Sequence, residues 1–196
     1  LAYKDICDSL AELMSGRKLY GKDVVRDARH LGTGTKLIFP LLAKIFKTYG
    51  IRSVLDLGCG NGAFLLMLAA AMPDFQGIGV EIDQPTVEEA RSAVSASSYR
   101  NSVSIIQGDA GKPESFPPDT NSTEAIVGIG MFHEFRKDDS LIPLLNRYKT
   151  RFPGARLFLV EFDTPGWDEL RRGPERQNAK ARQSTDFYTT SANRDC

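Results

Sequence analysis

Between residues 52 and 162 short apolar runs alternate with longer helical runs, and this alternation constrains the fold more than any other feature of the chain. "RSVLDLG", "FQGIGVEID", "VSIIQGD", "EAIVGIG" and "RLFLVEFD" have the length and the β-branched and leucine content of buried strands. "GAFLLMLAAAM", "QPTVEEARSAVSA" and "DDSLIPLLNRYKTRF" read as helices, the second with a proline near its first turn. A proline-rich loop, "GKPESFPPDTNS", joins the third strand to the fourth. Strands that alternate with helices pair in parallel and need helices on both faces, so an α/β, Rossmann-like sheet is predicted.

The flanks read differently. Residues 1–50 are expected to be a helical connector or cap. In it Ile6, Leu10, Leu13 and Met14 recur at helical spacing up to a stop at "SGR". A short helix is expected over "KDVVRDARHLG", then a third over "TKLIFPLLAKIFKTYG" with Pro40 as a kink and Gly50 as its cap. The sheet-forming core is expected over 51–166. Residues 167–196 form a strongly polar tail, partly helical or disordered, with no convincing strand.

Twenty-five basic and twenty-five acidic residues cancel. That balance argues against a dedicated binder of nucleic acid or anionic membrane. No apolar stretch is long enough to span a bilayer, and the N-terminal run has acids inside its apolar pattern, unlike a secretory signal. Three cysteines, Cys7, Cys59 and Cys196, without metal-like spacing suit a reducing cytoplasm. The partners expected are therefore a small-molecule substrate and, in a homodimer, a second copy of the chain.

In an open parallel sheet, ligands bind outside the carboxyl ends of the strands. "DLGCGNG" stands there after the first strand, and Gly58 and Gly60 let a ligand approach bare backbone. Alone this is equally a tight turn with no ligand. Glu81 ends the second strand, where a carboxylate accepts ribose hydroxyls, and Asp109 ends the third. A nicotinamide dinucleotide would use similar features, but the glycine spacing of "GCGNGA" departs from its fingerprint. Asp56, just before the glycines, would repel a diphosphate and attract a cationic or amine-bearing ligand.

"VLDLGCGNGAFLL", "GVEID" and "QGDA" resemble the motifs of the class I S-adenosylmethionine-dependent methyltransferases over roughly residues 50–162. The resemblance implies that Asp56 and the Gly58–Gly60 turn, Cys59 included, face the amino-acid part of that cofactor. It implies that Glu81 takes the ribose hydroxyls, and that Ile82, Asp109, Ala110 and Met131 complete the lining, Asp109 near the adenine. That family closes its sheet with two further strands, which the sequence after residue 162 does not show, so the C-terminal strands are expected to be missing.

The fourth strand leads into "GIGMFHEFRKDD". His133 is placed at the same edge, and imidazole suits proton removal near neutral pH. The alternative is a histidine that hydrogen-bonds within a loop. The segment resembles that of small-molecule O-methyltransferases with a winged-helix dimerisation domain, whose histidine is the general base. It keeps the histidine–acid pair as His133 and Glu134 and has Phe135 where that family has tryptophan. Within the family the stretch also resembles a branch of α-keto acid C-methyltransferases, such as those acting on 2-ketoarginine. The expectation is a small-molecule methyltransferase, alternatively an O-methyltransferase of a hydroxylated metabolite or a truncated, inactive cofactor-binding relative. No metal is expected, His30, His133 and Glu134 being the only plausible ligands. Arg26, Arg29 or Arg136 would suit a substrate carboxylate; Glu161, Asp163 and Trp167 would suit a guanidinium.

Overall fold

The computed structural model describes residues 4–19, 23–24, 38–135 and 140–161. The first helical run is split into α1 (Lys4–Asp8) and α2 (Leu10–Met14). Ser9 interrupts it with φ −102° and ψ 12°, although its amide still reaches the Asp5 carbonyl at 3.0 Å. The expected stop is where the chain turns, Gly16 taking φ +71°. The helix expected over "KDVVRDARHLG" falls largely outside the described residues. Within it Asp23 lies in a turn and the buried Val24 in an isolated β-bridge.

Helix α3 (Phe39–Tyr49) holds Pro40 in its first turn instead of kinking there, because a first-turn proline lacks only an N–H that no helical carbonyl would receive. Gly50, at φ +65°, caps it as expected. There follow β1 (Ser53–Leu57), α4 (Ala63–Ala71), β2 (Gln76–Glu81), α5 (Gln84–Ala96), β3 (Val103–Gln107), β4 (Ala125–Ile129), α6 (Leu141–Arg151) and β5 (Arg156–Val160). At the start of α5 the Asp83 carboxylate accepts from the Thr86 amide at 3.1 Å and Pro85 occupies the first turn. None of the described helices is long and apolar enough to cross a membrane.

The five strands form one parallel sheet in the order β3-β2-β1-β4-β5. Side chains alternate between its faces. Val54 of β1 joins Phe46 of α3, Phe64, Leu65 and Leu68 of α4 and Val87 of α5. Leu55 and Leu57 join Leu144 and Tyr148 of α6 and Phe152 on the other side. Each large side chain buried in these layers contributes on the order of 1.5–3 kcal/mol. The chain leaves β1 in one direction through β2 and β3, then returns to place β4 on the other flank of β1. That reversal opens a crevice at the carboxyl ends of β1 and β4, the position at which such sheets bind ligands. The sheet expected from the alternation is thus the one observed; the stretch read as lacking further strands lies outside the described residues.

Candidate functional site

The rim is built from five strand ends. After β1 the chain turns through Gly58, Gly60 and Gly62, all with positive φ, before α4 begins. Substitution of Gly58 is disfavoured on two counts: its φ is +67°, and an added Cβ would lie 3.1 Å from Cγ of Met131, which covers it from the end of β4. The amides of Gly58 and Cys59 donate to the Val80 carbonyl at 2.8 and 3.1 Å, tying the turn to β2.

Glu81, at the end of β2, completes this fastening. One carboxylate oxygen accepts from the Gly60 amide at 3.0 Å and the other from the amides of Ile82 at 2.9 Å and Asp83 at 3.0 Å. A carboxylate offers about four acceptor directions, so roughly one remains for a ligand hydroxyl. The residue read as a sugar acceptor is therefore also the clamp of the glycine turn. Ile82 beside it is 64% exposed.

Asp56 falls on the same sheet face as Val54, so a carboxyl group takes a position that alternation assigns to an apolar side chain. It is buried and accepts no hydrogen bond from a described residue. Burial first, and the Glu81 charge second, push its carboxyl up from 3.8 to about 8. Folding thus retains a proton that the unfolded chain releases, and the group's contribution to stability falls as pH rises from about 4 to about 8. Burial, then the charges of Asp56 and Glu81, also push the Cys59 thiol up, keeping it protonated. Its sulfur packs where a Cβ on Gly79 would stand 2.6 Å away.

After β3, Asp109 accepts from the Gly111 amide at 2.8 Å and pairs with Lys112 at 3.2 Å. Phe135, from the turn after β4, reaches this segment: a Cβ on Gly111 would meet its ring at 3.2 Å. The two motif ends are thereby brought to one rim.

After β4 a short 3-10 turn, Phe132–Phe135, carries His133. Its partner is Glu161, which directly follows β5. One Glu161 oxygen accepts from the amides of Met131 at 3.0 Å and Phe132 at 2.5 Å, and the other lies 3.0 Å from His133 Nδ1. An ionised carboxylate only accepts, so Nδ1 is the nitrogen that donates to Glu161, and in the neutral ring the lone pair is then on Nε2. Glu134 Oε1 stands 3.5 Å from Nε2. Glu161, read from sequence as a partner for a guanidinium, is here engaged by the turn that carries His133. Its role here was not read from the sequence; the available signal was an acid at the end of the strand next to the one that leads to His133. His30, Arg26, Arg29, Arg136, Asp163 and Trp167 lie outside the described residues.

The profile of the methyltransferase domain family matches residues 54–151, half the chain, and includes every strand end just described except that of β5. The chain belongs to that family. It has the fold of the class I S-adenosylmethionine-dependent methyltransferases. It is 29% identical over 130 residues to methyltransferase ungE' of Aspergillus campestris, covering 63% of this chain and 38% of the relative. It is 34% identical over 112 residues to indolepyruvate C-methyltransferase of Streptomyces griseus, covering 57% of this chain and 32% of that one. The chain thus spans less than two fifths of the length of these relatives. Its fold matches mitomycin 7-O-methyltransferase MmcR with a TM-score of 0.59 at 22% identity, over 74% of this methyltransferase chain and 42% of the other.

The residues at the rim fit this cofactor. A buried carboxyl that accepts no hydrogen bond from a described residue suits a cationic ligand, the bare glycine backbone suits close approach, and Glu81 retains acceptor capacity for a hydroxyl.

Proposed function

We propose that this methyltransferase chain transfers a methyl group to the carbon beside the carbonyl of a small 2-oxo acid, with His133 as general base. The observation that carries this reading is the carboxylate of Glu161. It joins His133 Nδ1 to the amides of Met131 and Phe132 at the rim that also holds the glycine turn. When bound, S-adenosylmethionine supplies an electrophilic methyl group. Asp56 would face the ammonium of its amino-acid end, the backbone of Gly58, Cys59 and Gly60 would cradle it, and Glu81 would hold the ribose. Ile82, Asp109, Ala110 and Met131 would line the remainder.

His133 Nε2 removes the proton from the carbon next to the carbonyl, and that carbon becomes the nucleophile. Glu161 fixes the tautomer that makes Nε2 basic, and Glu134 balances the charge once Nε2 is protonated. A 2-oxo acid is favoured by the likeness to a relative named for indolepyruvate, itself such an acid. The same base would serve an O–H acceptor, so O-methylation is the second reading. Mass spectrometry of products from a panel of 2-oxo acids, 2-ketoarginine and indolepyruvate included, and of phenols tests both. The expected result is a methyl group on carbon of a 2-oxo acid. Methylation of phenol oxygen alone selects the second reading, and no product with any acceptor overturns both.

The cofactor reading also predicts a pH dependence. A cation beside Asp56 favours the ionised carboxylate, so binding drives off the proton that burial retains. Affinity for S-adenosylmethionine is expected to rise about tenfold from pH 6 to pH 7 and to level off near pH 8. Calorimetry in buffers of different ionisation enthalpy should register the released proton near neutral pH. Asp56→Asn should abolish both the release and the slope.

A further inference from the structure

The loop that leaves β3 is gripped from behind by α6, a helix that belongs to the other half of the sheet. Tyr148 is 1% exposed, with its ring against Phe152 at a centroid distance of 6.1 Å. Its hydroxyl donates to the Ala110 carbonyl at 2.6 Å across 38 residues of sequence. One position earlier on the helix, Arg147 Nη1 donates to the Gly111 carbonyl at 2.9 Å while its other terminal nitrogen holds the Glu114 carboxylate. Two neighbouring helical side chains therefore fix the two consecutive carbonyls that follow Asp109. Asp109 is in turn oriented by the Gly111 amide, so any shift of this segment passes to its carboxylate. Burial, then the nearby Asp109 charge, push the Tyr148 phenol up, so the hydroxyl stays a donor across the working range. Packing alone would be satisfied by phenylalanine, which fills the same space in the core.

We propose that Tyr148 is a positioning residue for the cofactor's base: it sets the Asp109–Gly111 segment and thereby the preference for adenine over other purines. The proposal rests on the reading that this segment faces the base.

Its test is the affinity of the purified chain for S-adenosylhomocysteine and for its inosine analogue, in which oxygen replaces the exocyclic amine. Tyr148→Phe is expected to raise the dissociation constant for the adenine ligand about five- to tenfold, as the loss of one positioning hydrogen bond implies, and that for the inosine ligand less than about twofold. Discrimination between the two then narrows, which a role confined to folding would not produce. Arg147→Met relaxes the same segment from the exposed side of the helix and is expected to move the ratio the same way by about twofold, safeguarding the test if the core variant folds poorly. Equal weakening of both ligands by Tyr148→Phe, or no change in either, overturns the proposal. Failure of the underlying reading looks different: the unaltered chain would then bind both nucleosides equally well or neither, and the proposal would fall with it.

Discussion

Methyl transfer by the His133→Ala chain is expected to fall by about 10²- to 10⁴-fold, the usual worth of a positioned general base. Its dissociation constant for S-adenosylmethionine should stay within about twofold, since a base that acts only in the chemical step contributes little to ground-state binding. Glu161→Gln separates this account from one in which His133 only packs. Glutamine still presents an oxygen to the amides of Met131 and Phe132, so the turn keeps its fastening. Its amide nitrogen then faces Nδ1, which must become an acceptor, and the ring proton moves to Nε2. The variant should therefore bind cofactor normally and lose activity nearly as far as the alanine variant does. Single-turnover rates and calorimetry on the two variants check both halves. Normal rates in Glu161→Gln would mean that Nε2 is not the base.

The second large effect is expected at Glu81. The residue is 7% exposed, and its carboxylate accepts from three backbone amides, those of Gly60, Ile82 and Asp83. Glu81→Ala leaves three donors without this acceptor in a buried turn, where a single hydrogen bond to a charged group is worth about 1.5–3 kcal/mol. Water entering the gap would recover part of this, so a net destabilisation of about 2–4 kcal/mol is expected. Thermal melts should show a midpoint roughly 5–15 °C lower. Loss of cofactor affinity should exceed about a hundredfold, because the sugar contact and the shape of the glycine turn go together. Glu81→Gln divides the two roles. Its amide oxygen can still accept from Ile82 and Asp83, so part of the stability returns, but its amide nitrogen then faces the Gly60 amide, donor against donor, and the charge-assisted acceptor for a ribose hydroxyl is lost. A variant with normal stability and normal affinity would show that this carboxylate serves neither purpose.

Much of this architecture was legible because its determinants are local. Strand-length apolar runs, the proline in the first turn of α5 and the glycine after α3 each act within a few residues, and the sheet follows from their alternation. Pro40 was misread for a related reason: a proline inside an apolar run breaks a helix or begins it, and only the observed boundary at Phe39 decides which. Ser9 splits a pattern that spacing alone makes continuous. The glycine turn, Glu81 and Asp109 could be read because each ends a strand, and strand ends in a parallel sheet share one rim. What stayed hidden depends on register. Ile129 of β4 pairs with Val160 of β5, so the residue after β5 lands beside the turn that follows β4. That pairing brings Glu161 to His133 across 28 residues. Likewise the reach of Tyr148 and Arg147 to the β3 loop depends on how α6 lies across the sheet, which no local pattern encodes. Glu81 as the clamp of the glycine turn was hidden because its partners are backbone amides, which every residue has.

The most direct measurement is a calorimetric titration of the purified chain at pH 8 with S-adenosylmethionine and, separately, with NADH. Here the sulfonium nucleoside should bind one to one and the dinucleotide should give no heat. Saturable binding of NADH, with none for S-adenosylmethionine, would contradict the assignment of this rim.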